Sequence, residues 1–166
     1  MVLICFDGSD DSRAAVGHAA ELLGGQPATV LTIWEPLIEV LTRTSFGVVP
    51  VASGLDIEEI DAANRTQAES LAEEGAELAR RAGLDARPRT CSQQSTVASA
   101  ILDEAETVSA GAILMGSRGL TGVKSLLLGS VSHAVIQHAD RTVIVVPSPK
   151  IAAERQLARH ARQAIG

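Results

Sequence analysis

Unbroken apolar runs alternate along this chain with amphipathic stretches, and the alternation predicts strands separated by helices. Residues 2–6, Val-Leu-Ile-Cys-Phe, have the pattern of a parallel strand buried on both faces. Ser9, Asp10 and Asp11 then supply a cap and first-turn acids for a helix that stops near Gly24 and Gly25. Residues 29–34 predict a second strand. The longest helix is predicted over 57–82: Ile57, Ile60, Leu71, Leu78 and Ala82 approximate one face, Glu58 and Glu59 come early, and Arg80 and Arg81 precede Gly83. Residues 84–91 read as a weaker strand. Pro88 cannot donate to a sheet ladder, which puts that strand at an edge. A helix over 96–107, a strand over 110–115, a helix over 130–138 and a strand over 142–146 complete the series.

Five strands joined by helical crossovers imply an α/β fold of Rossmann-like type, an open five-stranded parallel sheet with helices on both faces. With strand order 3-2-1-4-5 the winding reverses between the first and fourth strands, and ligands of such sheets bind beyond the carboxyl ends at that reversal. Asp7 ends the first strand and Gly116 the fourth, so their loops converge on one crevice. The second loop reads Gly116-Ser-Arg-Gly119, nine further residues, then Gly129-Ser130 at the start of a helix. Glycines there let backbone approach a polyphosphate, and a helix amino terminus offers unpaired N–H groups and partial positive charge. Short glycine motifs also occur in loops that bind nothing, and it is the convergence with Asp7 that favours a site.

These residues resemble the ATP-binding type of the universal stress protein family, whose signature Gly-x2-Gly-x9-Gly-Ser/Thr is matched by Gly116, Gly119, Gly129 and Ser130. The resemblance spans about residues 1–147, from Phe6-Asp7-Gly8-Ser9 to the closing Val143-Ile-Val-Val-Pro147. It implies that Asp7 and Ile33 contact the adenosine end of ATP, and that Gly116, Gly119, Gly129, Ser130 and Val131 line the ribose and phosphates. It also implies a homodimer through strand five, Thr142 to Val146. That strand is β-prone, apolar and at an edge, so it should pair with a second copy or be covered by the tail that follows it. The implied function is a nucleotide-dependent stress-response regulatory module with slow ATP hydrolysis, Mg²⁺ or Mn²⁺ accompanying the phosphates.

Elementary electrostatics agrees with the orientation. A carboxylate at Asp7 accepts from ribose hydroxyls or an adenine amine but repels a triphosphate, so the phosphates belong nearer the fourth strand. Ser130 can donate to a phosphate or cap its helix. Arg118 either neutralises a phosphate or is solvated. His133 reads as a helix-surface histidine. Lys124-Ser125 does not make a Walker A loop, because Val123 replaces the required glycine.

Composition sets the outer bounds. With 166 residues, 46% hydrophobic and 20% charged, the chain supports one domain over 1–147, followed by a basic tail over 148–166 with Lys150, Arg155, Arg159 and Arg162 against Glu154. A net charge of −6 argues against nucleic acid or anionic membrane as partner. The absence of a long apolar span or a basic leader leads us to expect a cytoplasmic protein. Cys5 and Cys91 fall in separate strands and read as packing residues in a reducing compartment. Residues 36–56 form a long, unusually apolar connection, suited to covering a nucleotide, meeting a partner or packing a short helix on its own domain.

Three other functions fit the architecture. One is a non-catalytic dimeric interaction protein with a vestigial crevice. A second is an adenylating enzyme of the ATP pyrophosphatase type, whose loop Asp7-Gly-Ser-Asp-Asp-Ser12 only superficially resembles; Asp7 and Ser9 put a negative charge and a side chain where that chemistry needs open N–H donors. A flavodoxin-like carrier is poorly served by a chain whose aromatics are Phe6, Trp34 and Phe46.

Overall fold

The computed structural model describes residues 1–44, 56–119 and 128–163. In chain order these form β1 (Val2–Cys5), α1 (Asp10–Leu23), β2 (Pro27–Trp34), α2 (Leu37–Thr44), α3 (Ile57–Arg81), β3 (Asp85–Ser92), α4 (Val97–Thr107), β4 (Ala112–Gly116), α5 (Ser130–His138), β5 (Thr142–Val146) and α6 (Pro149–Gln163). The five strands make one parallel sheet in the order β3-β2-β1-β4-β5, the order expected from the sequence. β3 lies at an edge and Pro88 opposes Val30 there.

Strand alternation divides the core between two faces. Val2, Ile4, Val30 and Leu114 meet Val16 and Ala19 of α1 and Ala76 and Ala79 of α3. Leu3, Leu31, Ile113 and Met115 face the other way, onto Ala98, Ile101 and Ala105 of α4 and Val135 of α5. Leu3, Ile4, Val30, Leu31, Ile113 and Leu114 are fully buried, so the three central strands anchor the crevice at their carboxyl ends.

The buried face of α3 differs from the one its large apolar residues suggest. Ala68, Ala72, Gly75, Ala76 and Ala79 are buried, whereas Leu71 and Leu78 are partly buried and Ala82 is exposed. Small residues let the helix settle close to the sheet. A Cβ built on Gly75 would stand 2.7 Å from the Phe6 ring and 2.8 Å from Val30. The connection over 36–56 begins with α2, tied to α3 by the Leu37 N–H donating to Asp61 Oδ1 at 2.7 Å. Residues 45–55 of that connection and Lys124-Ser125 lie outside the described residues.

Two glycine substitutions in helices should therefore have opposite signs. Gly75→Ala forces ring and helix apart and is expected to cost about 1–3 kcal/mol. Gly17→Ala, at an exposed position of α1 with nothing within 4 Å of the new methyl, should gain about 0.5–1 kcal/mol. Urea unfolding of both variants measures the contrast.

Candidate functional site

The crevice opens at the winding reversal between β1 and β4. On the β1 side Gly8 adopts φ +77°, a left-handed turn that suits glycine, and leads the chain into α1. Asp7 Oδ1 accepts the Ser9 N–H at 3.0 Å, and the Ser9 side chain accepts the Ser12 N–H at 3.2 Å as the cap of α1. The amino end of α1 thus carries its own cap and the acids Asp10 and Asp11. It is a poor seat for an anion.

On the β4 side the glycine turn rests directly on α1. A Cβ on Gly116 would lie 2.7 Å from Asp11 Cβ, 2.8 Å from the Asp11 backbone carbon and 2.9 Å from the Ser12 nitrogen. Glycine at this position is required by the protein's own packing, whereas the sequence suggested only a ligand's approach. The contact brings Asp11, which is buried, to Ser117: Ser117 Oγ donates to Asp11 Oδ2 at 2.6 Å and the Arg118 N–H donates to the same oxygen at 3.1 Å. Arg118 is not freely solvated. Its Nε stands 3.9 Å from Asp11 Oδ2, and its side chain is only 13% exposed. Gly119 lies against Asp7, where an added Cβ would be 2.7 Å from Oδ2.

Ser117 also positions α5. Its N–H donates to Val146 O at 2.8 Å, and its carbonyl accepts from the Gly129 N–H at 2.8 Å and from Ser132 Oγ at 2.9 Å. Gly129 is the N-cap of α5, without a side-chain cap bond and with no acid in the first turn. Ser130 is the first helical residue and is exposed, so the capping role open to it in the sequence falls to Gly129 instead. Among the described residues a Cβ on Gly129 would meet nothing closer than 3.5 Å, so their packing does not require glycine there.

Asp7, Ile33, Gly116, Arg118, Gly119, Gly129, Ser130 and Val131 all line one cavity of about 310 Å³, within the range of small-molecule sites. Ser12 and Ser132 line it too, and Cys5, Phe6, Leu31, Val97, Ile101 and Met115 form its mainly apolar slot. Sequence reasoning missed this floor, together with Asp11 and Ser132. Burial, with Asp7 adding to it, pushes the Cys5 thiol up to about 12, and Cys91 is raised to about 11 chiefly by burial, so neither is a thiolate at neutral pH. His133 is exposed on α5 and does not line the cavity. A divalent cation finds no seat built by the protein: among the described residues no three His, Cys, Asp or Glu side chains converge, and Asp11 Oδ2 is already committed to Ser117 and Arg118.

Comparison with known proteins agrees with this architecture. A universal stress protein YxiE from Bacillus subtilis is 32% identical over 146 residues, covering 87% of this chain and 97% of its own. The solved structure of hypothetical protein MJ0577 superposes with a TM-score of 0.69 at 22% identity, over 88% of this chain and 94% of that one. A universal stress protein from Archaeoglobus fulgidus in complex with dAMP gives a TM-score of 0.57 at 22% identity, covering 87% and 95%. The sequence model of the universal stress protein family matches residues 1–147, and the chain belongs to that family.

Proposed function

We propose that this chain binds ATP in the crevice and acts as a nucleotide-dependent regulatory module of the stress response. The observation that carries the reading is the contrast between the two helix ends that meet there. α1 is capped by Ser9 and bears Asp10 and Asp11, whereas α5 begins at Gly129 with no side-chain cap and no acid. Phosphates belong at α5, against Gly129, Ser130 and Val131, and the base belongs in the apolar slot beside Ile33. The nucleotide held by the Archaeoglobus fulgidus relative supports the same ligand class.

The same contrast disfavours an adenylating enzyme of the ATP pyrophosphatase type, which needs its pyrophosphate gripped by the first strand-to-helix loop. Hydrolysis is slow in this reading: the charged side chains among the described residues lining the cavity are Asp7 and Arg118, and Arg118 is paired with Asp11, which leaves it little charge to stabilise phosphoryl transfer. The protein acts as a dimer through β5, whose outer edge ends the sheet. A tail helix lying across that edge would bury one of its own faces, yet residues 152–160 of α6 are all exposed. This favours a second copy as the cover.

Calorimetry tests the ligand. Wild-type protein should bind ATP, and Gly129→Val should weaken binding at least about tenfold by blocking backbone approach, while costing about 1 kcal/mol of stability because valine is a poorer N-cap than glycine. Unchanged ATP affinity in that variant overturns the assignment. Gly116→Val cannot serve as the test, because its side chain would collide with α1.

Light scattering tests the assembly. Val143 is half-buried, and a lysine there can extend its ammonium to solvent while charging the edge. Val143→Lys should convert dimer to monomer and leave ATP binding intact. A wild-type monomer that dimerises only after removal of α6 makes the tail the cover.

A further inference from the structure

Asp11 belongs to no part of the glycine signature, yet it is buried and bonded to the signature's own turn. Three groups of the turn converge on its Oδ2: Ser117 Oγ at 2.6 Å, the Arg118 N–H at 3.1 Å and Arg118 Nε at 3.9 Å. The two charged side chains are 9% and 13% exposed, so solvent screens the pair weakly. Both Arg118 and Ser12, the neighbour of Asp11, line the cavity. Resting on the nucleotide-binding reading above, we propose that Asp11 is a specificity-determining positioning residue. Its two accepted hydrogen bonds fix the turn, and its charge holds Arg118 as an internal counter-ion, so the pocket's grip does not grow with the number of ligand phosphates as a free arginine would make it grow. A phosphate chain drawing on Arg118 has to compete with Asp11 for the guanidinium and tolerate an uncompensated carboxylate nearby.

Asp11→Asn separates the two roles, because the amide oxygen can still accept from Ser117 Oγ and Arg118 N–H while the charge is gone. Adenosine, AMP, ADP and ATP are titrated calorimetrically into both proteins without divalent cations. Adenosine affinity should stay within about twofold, and the gain in the variant should rise with ligand charge to about tenfold for ATP, the order expected for removing one like charge near a phosphate. Arg118→Met should change ATP affinity about twofold in the wild-type background and abolish the gain in the Asp11→Asn background, a non-additivity that reports the pairing. A purely structural Asp11 would instead weaken adenosine and ATP alike. Equal affinities of variant and wild type across the series, or additive effects of the two substitutions, overturn the proposal. If Asp11→Asn does not fold, Asp11→Ser, which keeps an oxygen acceptor without charge, takes the same titrations. Wild-type protein that binds adenosine and ATP but shows a flat series in the variant removes this inference alone; wild-type protein that binds none of the four removes the nucleotide reading with it.

Discussion

The close approach of the first turn of α1 to the end of β4 is the constraint on which the crevice depends. Gly116 has no room for a Cβ because backbone and Cβ atoms of Asp11 and Ser12 stand under 3 Å from where it would lie. That proximity lets Asp11 reach Ser117 and the Arg118 N–H, and the turn so fixed presents the Ser117 carbonyl to Gly129 and Ser132 at the start of α5. The orientation of α5 therefore follows from a contact made more than 100 residues earlier in the chain. A buried carboxylate receiving two donors is expensive to leave half-satisfied, which makes the turn stiff rather than a mobile flap.

Two helix amino termini meet in the crevice, and they are chemically unlike. Asp7, Ser9, Asp10 and Asp11 occupy the donors of α1 or oppose an anion there, whereas α5 begins beside the cavity with no side-chain cap and no acid in its first turn. In a chain of net charge −6 this local asymmetry, and not any global field, decides where an anion can sit. Cys5 belongs to the neutral part of the arrangement, since its raised pKa keeps the thiol uncharged against the apolar slot.

Strand order was legible because each strand announces itself by a short apolar run and each crossover by helical periodicity, and right-handed connections leave few arrangements. The glycine turn and Asp7 were legible because their chemistry is carried by residue type at fixed spacing. The face of α3 was not: alanine and glycine contribute weakly to a hydrophobic pattern, so Leu71 and Leu78 drew the reading away from the buried Ala72, Gly75 and Ala76. Asp11 was read correctly as a first-turn acid, and its second role stayed hidden for a different reason. A first-turn acid is the commonest explanation of an aspartate after a serine cap, and nothing local shows that its carboxylate is spent on a partner 106 positions away. Ser132 was likewise silent, since a serine one turn into a helix seldom marks a buried tie.

The glycines of one signature turn out to answer different physical demands. Gly116 is there so that α1 can close on β4, and Gly119 so that the Asp7 carboxylate can lie against the turn. At Gly129 the described surroundings would admit a side chain, and the backbone, φ −71° and ψ 162°, is one that any residue adopts. Among the described residues neither packing nor conformation explains a glycine there; in the proposed nucleotide-binding reading, access to the N–H groups of α5 does. A match to the spacing by letters alone merges these roles. The geometry separates them, and it leaves Gly129 as the position of the signature whose smallness the described packing does not need and the proposed ligand would.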